Sequence, residues 1–275
     1  MKVTLIRYTP DALELLVGTK TTRLRGRRPE EMSKDELYEH FQYMLSTIRS
    51  PFDFVDYIFH IENVSKNFTH QLVRTRTGSY QQESSRAVEV TSVVRPEAFE
   101  YPTQPAQIDD WRRDDLARTF DDAIASAGAY YRELIASGAA LGDARAVLPS
   151  NMATNIDAKF SLRTLSDMAK TRLCRRTQGE YQTVFRAMVA AVLEVHPWAD
   201  PLLQVACVAD GSCAFPRWGS AKIDTIRGGE PTWDYQCDMY RPWMDTTVER
   251  ENLRKIFWSK GIIESNPVAN EGKTS

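Results

Sequence analysis

Histidine, cysteine and long apolar runs are all scarce in this chain of 275 residues. His40, His60, His70 and His196 are too scattered to imply a metal centre. Cys174, Cys207, Cys213 and Cys237 form no CxxC pair, and no histidine lies between Cys207 and Cys237. That spacing fits reduced, partly buried thiols better than a zinc site. No apolar run approaches the roughly 20 residues that span a bilayer. The opening MKVTLIRYTPDALELL has neither the apolar core nor the cleavage site of a secretory signal, so a cytoplasmic enzyme is expected. A surplus of charge is missing too: 35 basic residues face 37 acidic ones, for a net charge of -2. That balance argues against general attraction to nucleic acid or membrane and leaves room for a local anion pocket.

What is present reads as a mixed fold with one substantial core. Val3–Ile6 suggests a strand ending at a turn near Thr9-Pro10. Arg23, Arg25, Arg27 and Arg28 form an exposed basic loop, fit either to touch phosphate or to sit in solvent. Ser33 and Glu36 have capping-box spacing ahead of a helix over 34–48, with Leu37, Phe41, Met44 and Leu45 facing the core. In VDYIFHI, Val55, Tyr57, Phe59 and Ile61 alternate onto one face of a strand, with Asp56, Ile58 and His60 on the other. A helix starts near Ser65. After Gly78 a polar loop, SYQQESSR, leads into a second strand carrying Val88, Val90 and Val94. The spacing of Leu116, Phe120, Ile124, Ala127, Tyr131 and Ile135 predicts a long helix over 111–137. A short helix follows across Asp143–Leu148, and the strongest helical stretch runs over 160–194. Beyond residue 200 the periodicity deteriorates, glycines and prolines interrupt, and tryptophans gather, with one last helix over 246–258. The organisation expected is a domain over 1–200 and an extension over 201–275, packed on that domain or at a subunit interface.

The chemistry concentrates in QLVRTRTGSYQQESSRAVEV. Arg74 and Arg76 lie two apart, so an ideal helix cannot present both on one face. Ser79, Gln81, Gln82, Ser84 and Arg86 follow. Arginine offers a rigid donor fork for phosphate, serine donates to it as well, and glutamine can read the donor and acceptor edge of uracil or flavin. A structural salt-bridge loop would look similar. In the later stretch TRLCRRTQGEYQ, Arg172 follows the apolar Leu165/Met168/Ala169 stripe, where an inward charge requires a partner. Arg176 is placed to pair with Glu180, and Arg145 precedes an apolar Ala146-Val147-Leu148-Pro149. A phosphate would satisfy two such arginines, and so would carboxylates.

These residues resemble the flavin-dependent thymidylate synthases. Against that family's R-H-R-x-x-S-x-N-E-x-S-x-R signature stands Arg74-Thr75-Arg76-x-x-Ser79-x-Gln81-Gln82-x-Ser84-x-Arg86. Arg145-x-Val147-Leu148-Pro149 resembles a nucleotide-binding element, and Leu162-Arg163-Thr164-Leu165, Arg172 and Gln178-x-Glu180 resemble N-A-R-S-L…R…A-Q-x-E. The likeness covers roughly residues 40–195. It implies an α+β fold with an antiparallel sheet and a long-helix cluster. It implies reductive methylation of dUMP at C5, with methylenetetrahydrofolate as carbon donor, FAD as relay and NADPH as reductant. By the same resemblance Gln71, Arg74, Gln82, Ser84, Arg86, Arg145 and Arg172 surround the pyrimidine nucleoside monophosphate. Arg74, Thr75, Arg76, Arg163, Asp167 and Arg176 lie at the flavin. Arg172 and Ser84 are the catalytic candidates; Ser84 positions substrate rather than attacking it, because no adjacent base is evident. The family's homotetramers build each active site from several chains.

The chain departs from the pattern at Thr75, Gln81 and Gln82, at Ala87 in place of tyrosine, at Asp53-Phe54 in place of E-H, and at Ser161 and Asp167 in place of asparagines. The phosphate arginines survive better than the polar groups around the redox centre. Two further readings follow: a flavoenzyme transferring a one-carbon unit to another pyrimidine nucleotide such as dCMP, and a non-catalytic nucleotide-binding or assembly protein.

Overall fold

A computed structural model describes residues 1–95, 110–174, 177 and 179–209, without the side chains of 110–113 and 207. The expected helix over 246–258, the tryptophans beyond 198 and the partner of Glu180 at Arg176 lie outside the described residues.

The elements run β1 (Lys2–Tyr8), α1 (Ala12–Gly18), α2 (Thr21–Leu24), α3 (Lys34–Leu45), β2 (Asp56–Ser65), α4 (Lys66–Leu72) and β3 (Ser79–Gln82). The chain continues with α5 (Asp110–Ala136), α6 (Leu141–Ala144), β4 (Ala153–Ser161), α7 (Leu162–Arg172), α8 (Gly179–Val195) and α9 (Ala206–Ala209). The strands form one antiparallel sheet in the order β1-β2-β4-β3. This is the α+β architecture expected.

The alternation in VDYIFHI decides how the sheet packs. Val55, Tyr57, Phe59 and Ile61 are all buried, together with Ile156, Ala158 and Phe160 from β4. Helices α4, α7 and α8 cover that face with Phe68, Leu72, Leu165, Ala169, Tyr181, Val184, Phe185 and Met188. The opposite face is polar and half-exposed: His60 meets Asp157 across the strands, and Lys159 meets Asp56. His60 is thus satisfied by a neighbouring carboxylate.

Four local expectations need correction. The strand expected around Val88, Val90 and Val94 is absent; only an isolated bridge, Val93 to Met152, forms there. The pairing edge of β4 is taken instead by Ser79–Gln82, read from sequence as a polar loop. Residues 160–194 do not make one helix. Phe160 and Ser161 finish β4, Ser161 caps α7, and α7 and α8 are separate. The apolar spacing is helical in both halves, so the stripe concealed the break. The short helix at Asp143–Leu148 is a single turn, α6, followed by a 3-10 turn at Arg145–Val147.

Other sequence signals hold as read. Ser33 and Glu36 form the reciprocal capping box of α3, and Ser65 caps α4 by accepting the Phe68 N–H. The long helix α5 forms, but of its apolar stripe only Tyr131 is buried; Leu116, Phe120, Ile124, Ala127 and Ile135 are half-exposed.

Candidate nucleotide site

Sheet topology sorts the chemistry into two ends. At one end β2 closes at Ser65, β3 closes at Gln82 and β4 begins at Ala153, with Ser65 paired to Ala153 and Gln82 to Ile156. The residues that leave or enter the sheet there are Lys66 of α4, the loop Glu83–Arg86, and the 3-10 turn holding Arg145. At the other end β2 begins at Asp56 opposite Ser161, where β4 hands over to α7. Nine residues of β4 separate the ends, about 30 Å of extended chain.

The first end gathers cations. Arg145 donates through Nη1 to Ser85 Oγ at 2.7 Å and through Nε to the Gly142 carbonyl at 3.2 Å. Lys66 donates to the same Ser85 Oγ at 2.5 Å. Ser85 is buried, 6 % exposed, and takes both donors on one oxygen. Arg86 is exposed and its Cγ lies against Gly142, 3.8 Å from where a Cβ would stand. Ser84 Oγ accepts the Arg86 backbone N–H at 3.3 Å, and its carbonyl receives Ala87 and Val88. The Ser84 side chain thus shapes its own loop. Among the described residues neither Lys66, Arg86 nor Arg145 forms an ion pair. Two unit charges about 5 Å apart repel by about 3 kcal/mol at an effective dielectric near 20, before further solvent screening. Burial, then the Arg145 charge, pulls the Lys66 ammonium below the usual lysine range. Sequence reading missed Lys66 and Ser85; a lone lysine at a helix start carries no signal until the sheet brings it to Arg145.

The second end is built differently. Arg163 pairs with Asp53 at 3.0 Å, and Asp167 with Arg49 at 2.8 Å. Asp53 also accepts from Ser161 Oγ, so the residues standing at two of the family's changed positions bind one another there, and a third, Asp167, is held by Arg49. The turn carrying Arg74, Thr75 and Arg76 lies toward this end, because Ser79 pairs with Lys159. Tyr80 holds that turn, its hydroxyl 2.7 Å from the Thr75 carbonyl and 3.0 Å from that of Leu72. Burial pushes the Tyr80 phenol up to about 12. A Cβ on Gly78 would stand 2.6 Å from the Phe160 ring, so only glycine fits. Arg74 and Arg76 are exposed, without ion pairs among the described residues.

Arg172 connects the two sets. Its guanidinium lies 4.3 Å over the Tyr181 ring, a cation–π partner where a carboxylate was the alternative. Tyr181 packs edge-on against Phe68 of α4. Its neighbour Glu180 accepts from the Ser65 backbone N–H at 2.7 Å and from the Ser65 hydroxyl, tying α8 to the strand end that leads into Lys66. The Tyr181 hydroxyl is buried and makes no hydrogen bond among the described residues. Burial raises its phenol, offset in part by nearby Arg172 and Thr75, yet neither meets it in hydrogen-bond geometry. A buried hydroxyl beside Thr75, without a partner among the described residues, suits the wall of a ligand site. Gln71 is half-buried on α4, and Gln82 Nε2 donates to Thr154 Oγ1 at 3.4 Å. Arg176 lies outside the described residues.

Two wider features complete the surface. Lys20, Arg23, Arg25, His40 and Tyr43 line an open cleft of about 630 Å³, with Arg23 stacked on Tyr43 and bonded to His40. No group of His, Cys, Asp or Glu able to hold a metal occurs among the described residues, and no described helix is long and apolar enough to cross a membrane.

The chain is 31% identical over 227 residues to the flavin-dependent thymidylate synthase of Clostridium tetani, covering 78% of this chain and 90% of that one. It is 30% identical over 203 residues to that of Sulfolobus acidocaldarius, covering 72% and 74%. A crystal structure of the UMP/dUMP methylase PolB from Streptomyces cacaoi, bound with 5-Br dUMP, shares the fold with a TM-score of 0.62 at 23% identity. It covers 73% of this chain and 93% of that one. Residues 4–198 match the family described as thymidylate synthase complementing protein, and the chain belongs to that family of flavin-dependent thymidylate synthases.

Proposed function

We propose that this chain methylates dUMP at C5, with the nucleotide phosphate held at the sheet end occupied by Ser85, Arg86 and Arg145. The chain is a methyltransferase of the flavin-dependent thymidylate synthase family, using FAD with methylenetetrahydrofolate and NADPH as co-substrates. The observation that carries the phosphate assignment is the meeting of Arg145 and Ser85 beside Arg86, with no ion pair to a carboxylate among the described residues. Bidentate guanidinium donors and a hydroxyl suit a phosphate dianion.

Each group's work follows from its place. Arg145, Arg86 and Ser84 hold the phosphate and ribose end. Gln71, Arg74 and Gln82 line the way toward the base, and Arg172, held flat by Tyr181, polarises the pyrimidine. Thr75, Arg76, Arg163 and Asp167 are placed to hold FAD. When bound, the flavin supplies the redox chemistry and relays the carbon; the protein contributes orientation and electrostatics. A flavin ring has to lie against the pyrimidine, yet the Ser85–Arg145 cluster and the Arg163–Asp53 pair sit at opposite ends of β4 within one chain. We therefore assign each active site to more than one chain, in a homotetramer. The half-exposed apolar stripe of α5 supports a subunit contact. The extension over 201–275 is proposed to pack on the domain or at such a contact.

Purified protein should carry the visible absorption bands of flavin and release tritium from C5-labelled dUMP when methylenetetrahydrofolate and NADPH are present. Absence of both bands and release would overturn the assignment. Competition among dUMP, dCMP and UMP tests the base, and a preference for dCMP would replace dUMP as substrate.

A further inference from the structure

We infer that Lys66, at the start of α4, is a direct ligand of the nucleotide phosphate, acting with the Ser85 hydroxyl and Arg145 as a three-donor cradle for a dianion. The inference rests on the assignment of this sheet end to the phosphate, and it names a residue outside the set the family resemblance marks.

The two cations meet at the Ser85 oxygen. A hydroxyl has two lone pairs and one hydrogen. Lys66 and Arg145 both donate to Oγ, which fills the lone pairs and turns the hydrogen away from both cations. That hydrogen meets no acceptor among the described residues. The ammonium keeps two further N–H groups and the guanidinium keeps others. Three kinds of donor therefore face one space, and the side chain between the two cations is buried. A neutral ligand would leave the repulsion between Lys66 and Arg145 in place; a phosphate dianion relieves it and accepts every free donor.

Among the described residues no carboxylate pairs with Lys66 or Arg145, and Glu83, in the same loop as Ser85, accepts from Asn155 Nδ2 at 3.0 Å. Glu180, the carboxylate bound to Ser65 immediately before Lys66, is committed to the Ser65 N–H and hydroxyl. Asn67 and Lys66 send their backbone N–H groups to the carbonyls of Ser150 and Met152, so the helix start is anchored to the β4 entrance independently of the lysine side chain. Burial first, and then the Arg145 charge, push the Lys66 ammonium toward its neutral form. Such a lysine regains its charge preference when an anion arrives.

The test is isothermal titration of dUMP into the flavin-loaded full chain and its Lys66→Met, Lys66→Arg and Arg145→Ala variants. Each variant is first checked for wild-type circular dichroism and flavin content. Loss of a charge-assisted donor predicts dUMP binding weakened about 10- to 100-fold in Lys66→Met. Lys66→Arg should stay within about threefold, because the charge is kept. A second readout separates contact from mere support of the loop. Below the second phosphate pKa of about 6 dUMP becomes a monoanion, so wild-type affinity should fall between pH 7.5 and 5.5 more steeply than that of Lys66→Met. If Lys66→Met binds within about twofold of wild type while Arg145→Ala is weakened, Lys66 is no ligand and the phosphate site stands without it. If Lys66→Met and Lys66→Arg lose affinity equally, with unchanged pH slopes, the lysine only supports the loop. If Arg145→Ala and Lys66→Met both bind as wild type, the phosphate assignment itself fails.

Discussion

The two ends of the central sheet hold nearly the same residue types and spend them in opposite ways. Where β4 begins, Lys66 and Arg145 crowd onto Ser85 and pair with no carboxylate among the described residues. Where β4 ends, Arg163 is matched with Asp53, and Asp167 with Arg49. Folding alone favours the second arrangement, because paired charges cost less than repelling ones. The first is the arrangement expected of the proposed phosphate site, whose counter-charge would come from the ligand. An arginine's partners, more than its presence, separate a structural ion pair from a candidate anion ligand, and by that measure Arg74 and Arg76 differ from Arg163 at the same end.

The largest expected effect follows from breaking the unpaired end. Arg145→Ala should weaken dUMP binding by about 2–5 kcal/mol while leaving the melting temperature within a few degrees of wild type, since no ion pair is lost. A large drop in melting temperature without loss of affinity, seen by calorimetry of binding and unfolding, would reverse the roles given to the two ends. At the paired end, Arg163→Ala should purify with less flavin than wild type by the ratio of visible to ultraviolet absorbance. Asp53→Ala should keep its flavin, because Asp53 holds the arginine rather than the cofactor. Equal loss in both variants would make the ion pair itself the binding element.

Between the ends, Gly78→Ala places a methyl group against Phe160 and Tyr80 and should cost about 1–3 kcal/mol in denaturant unfolding. An unchanged midpoint would show that the turn carrying Arg74–Arg76 is not held by that contact.

The smallest effects sharpen the comparison most. Without nucleotide, Lys66→Met should be as stable as wild type or more so, by less than about 1 kcal/mol, whereas Asp53→Ala should lose up to about 1 kcal/mol. The pH dependence has a definite sign. The folded-state value of Lys66 is lowered, so its charged form is penalised at neutral pH, and that penalty fades as pH rises through the lowered value toward the ordinary lysine range. Wild type should therefore gain stability on Lys66→Met with rising alkaline pH. A gap that widens the other way in thermal melts would remove the proposed strain.

Legibility in the sequence divided along physical lines. The alternation Val55–Ile61 revealed the buried strand, and the Ser33/Glu36 and Ser65 signals revealed helix starts, because each is a local pattern whose cause lies within a few residues. Strand β3 stayed hidden, since SYQQ pairs at a half-exposed sheet edge and needs no apolar alternation. Strand β4 merged at its end into an apolar helical stripe, and the valines at 88–94 misled because their neighbours in space do not form a ladder. At the site, Arg145 and Arg172 were legible as charges beside apolar runs. The partners were not: Tyr181 under Arg172, Asp53 on Arg163 and Lys66 on Ser85 are 9, 110 and 19 residues apart, and only the fold brings each pair together.

A crystal structure of the chain with dUMP and FAD tests the account most directly. The phosphate should sit where β4 begins, within hydrogen-bonding distance of Arg145, Ser85 and Lys66, with the flavin ring against the base supplied from a neighbouring chain's β4-to-α7 end. Phosphate density at the Arg163–Asp53 end instead, with Lys66 and Arg145 still facing only Ser85, would contradict it.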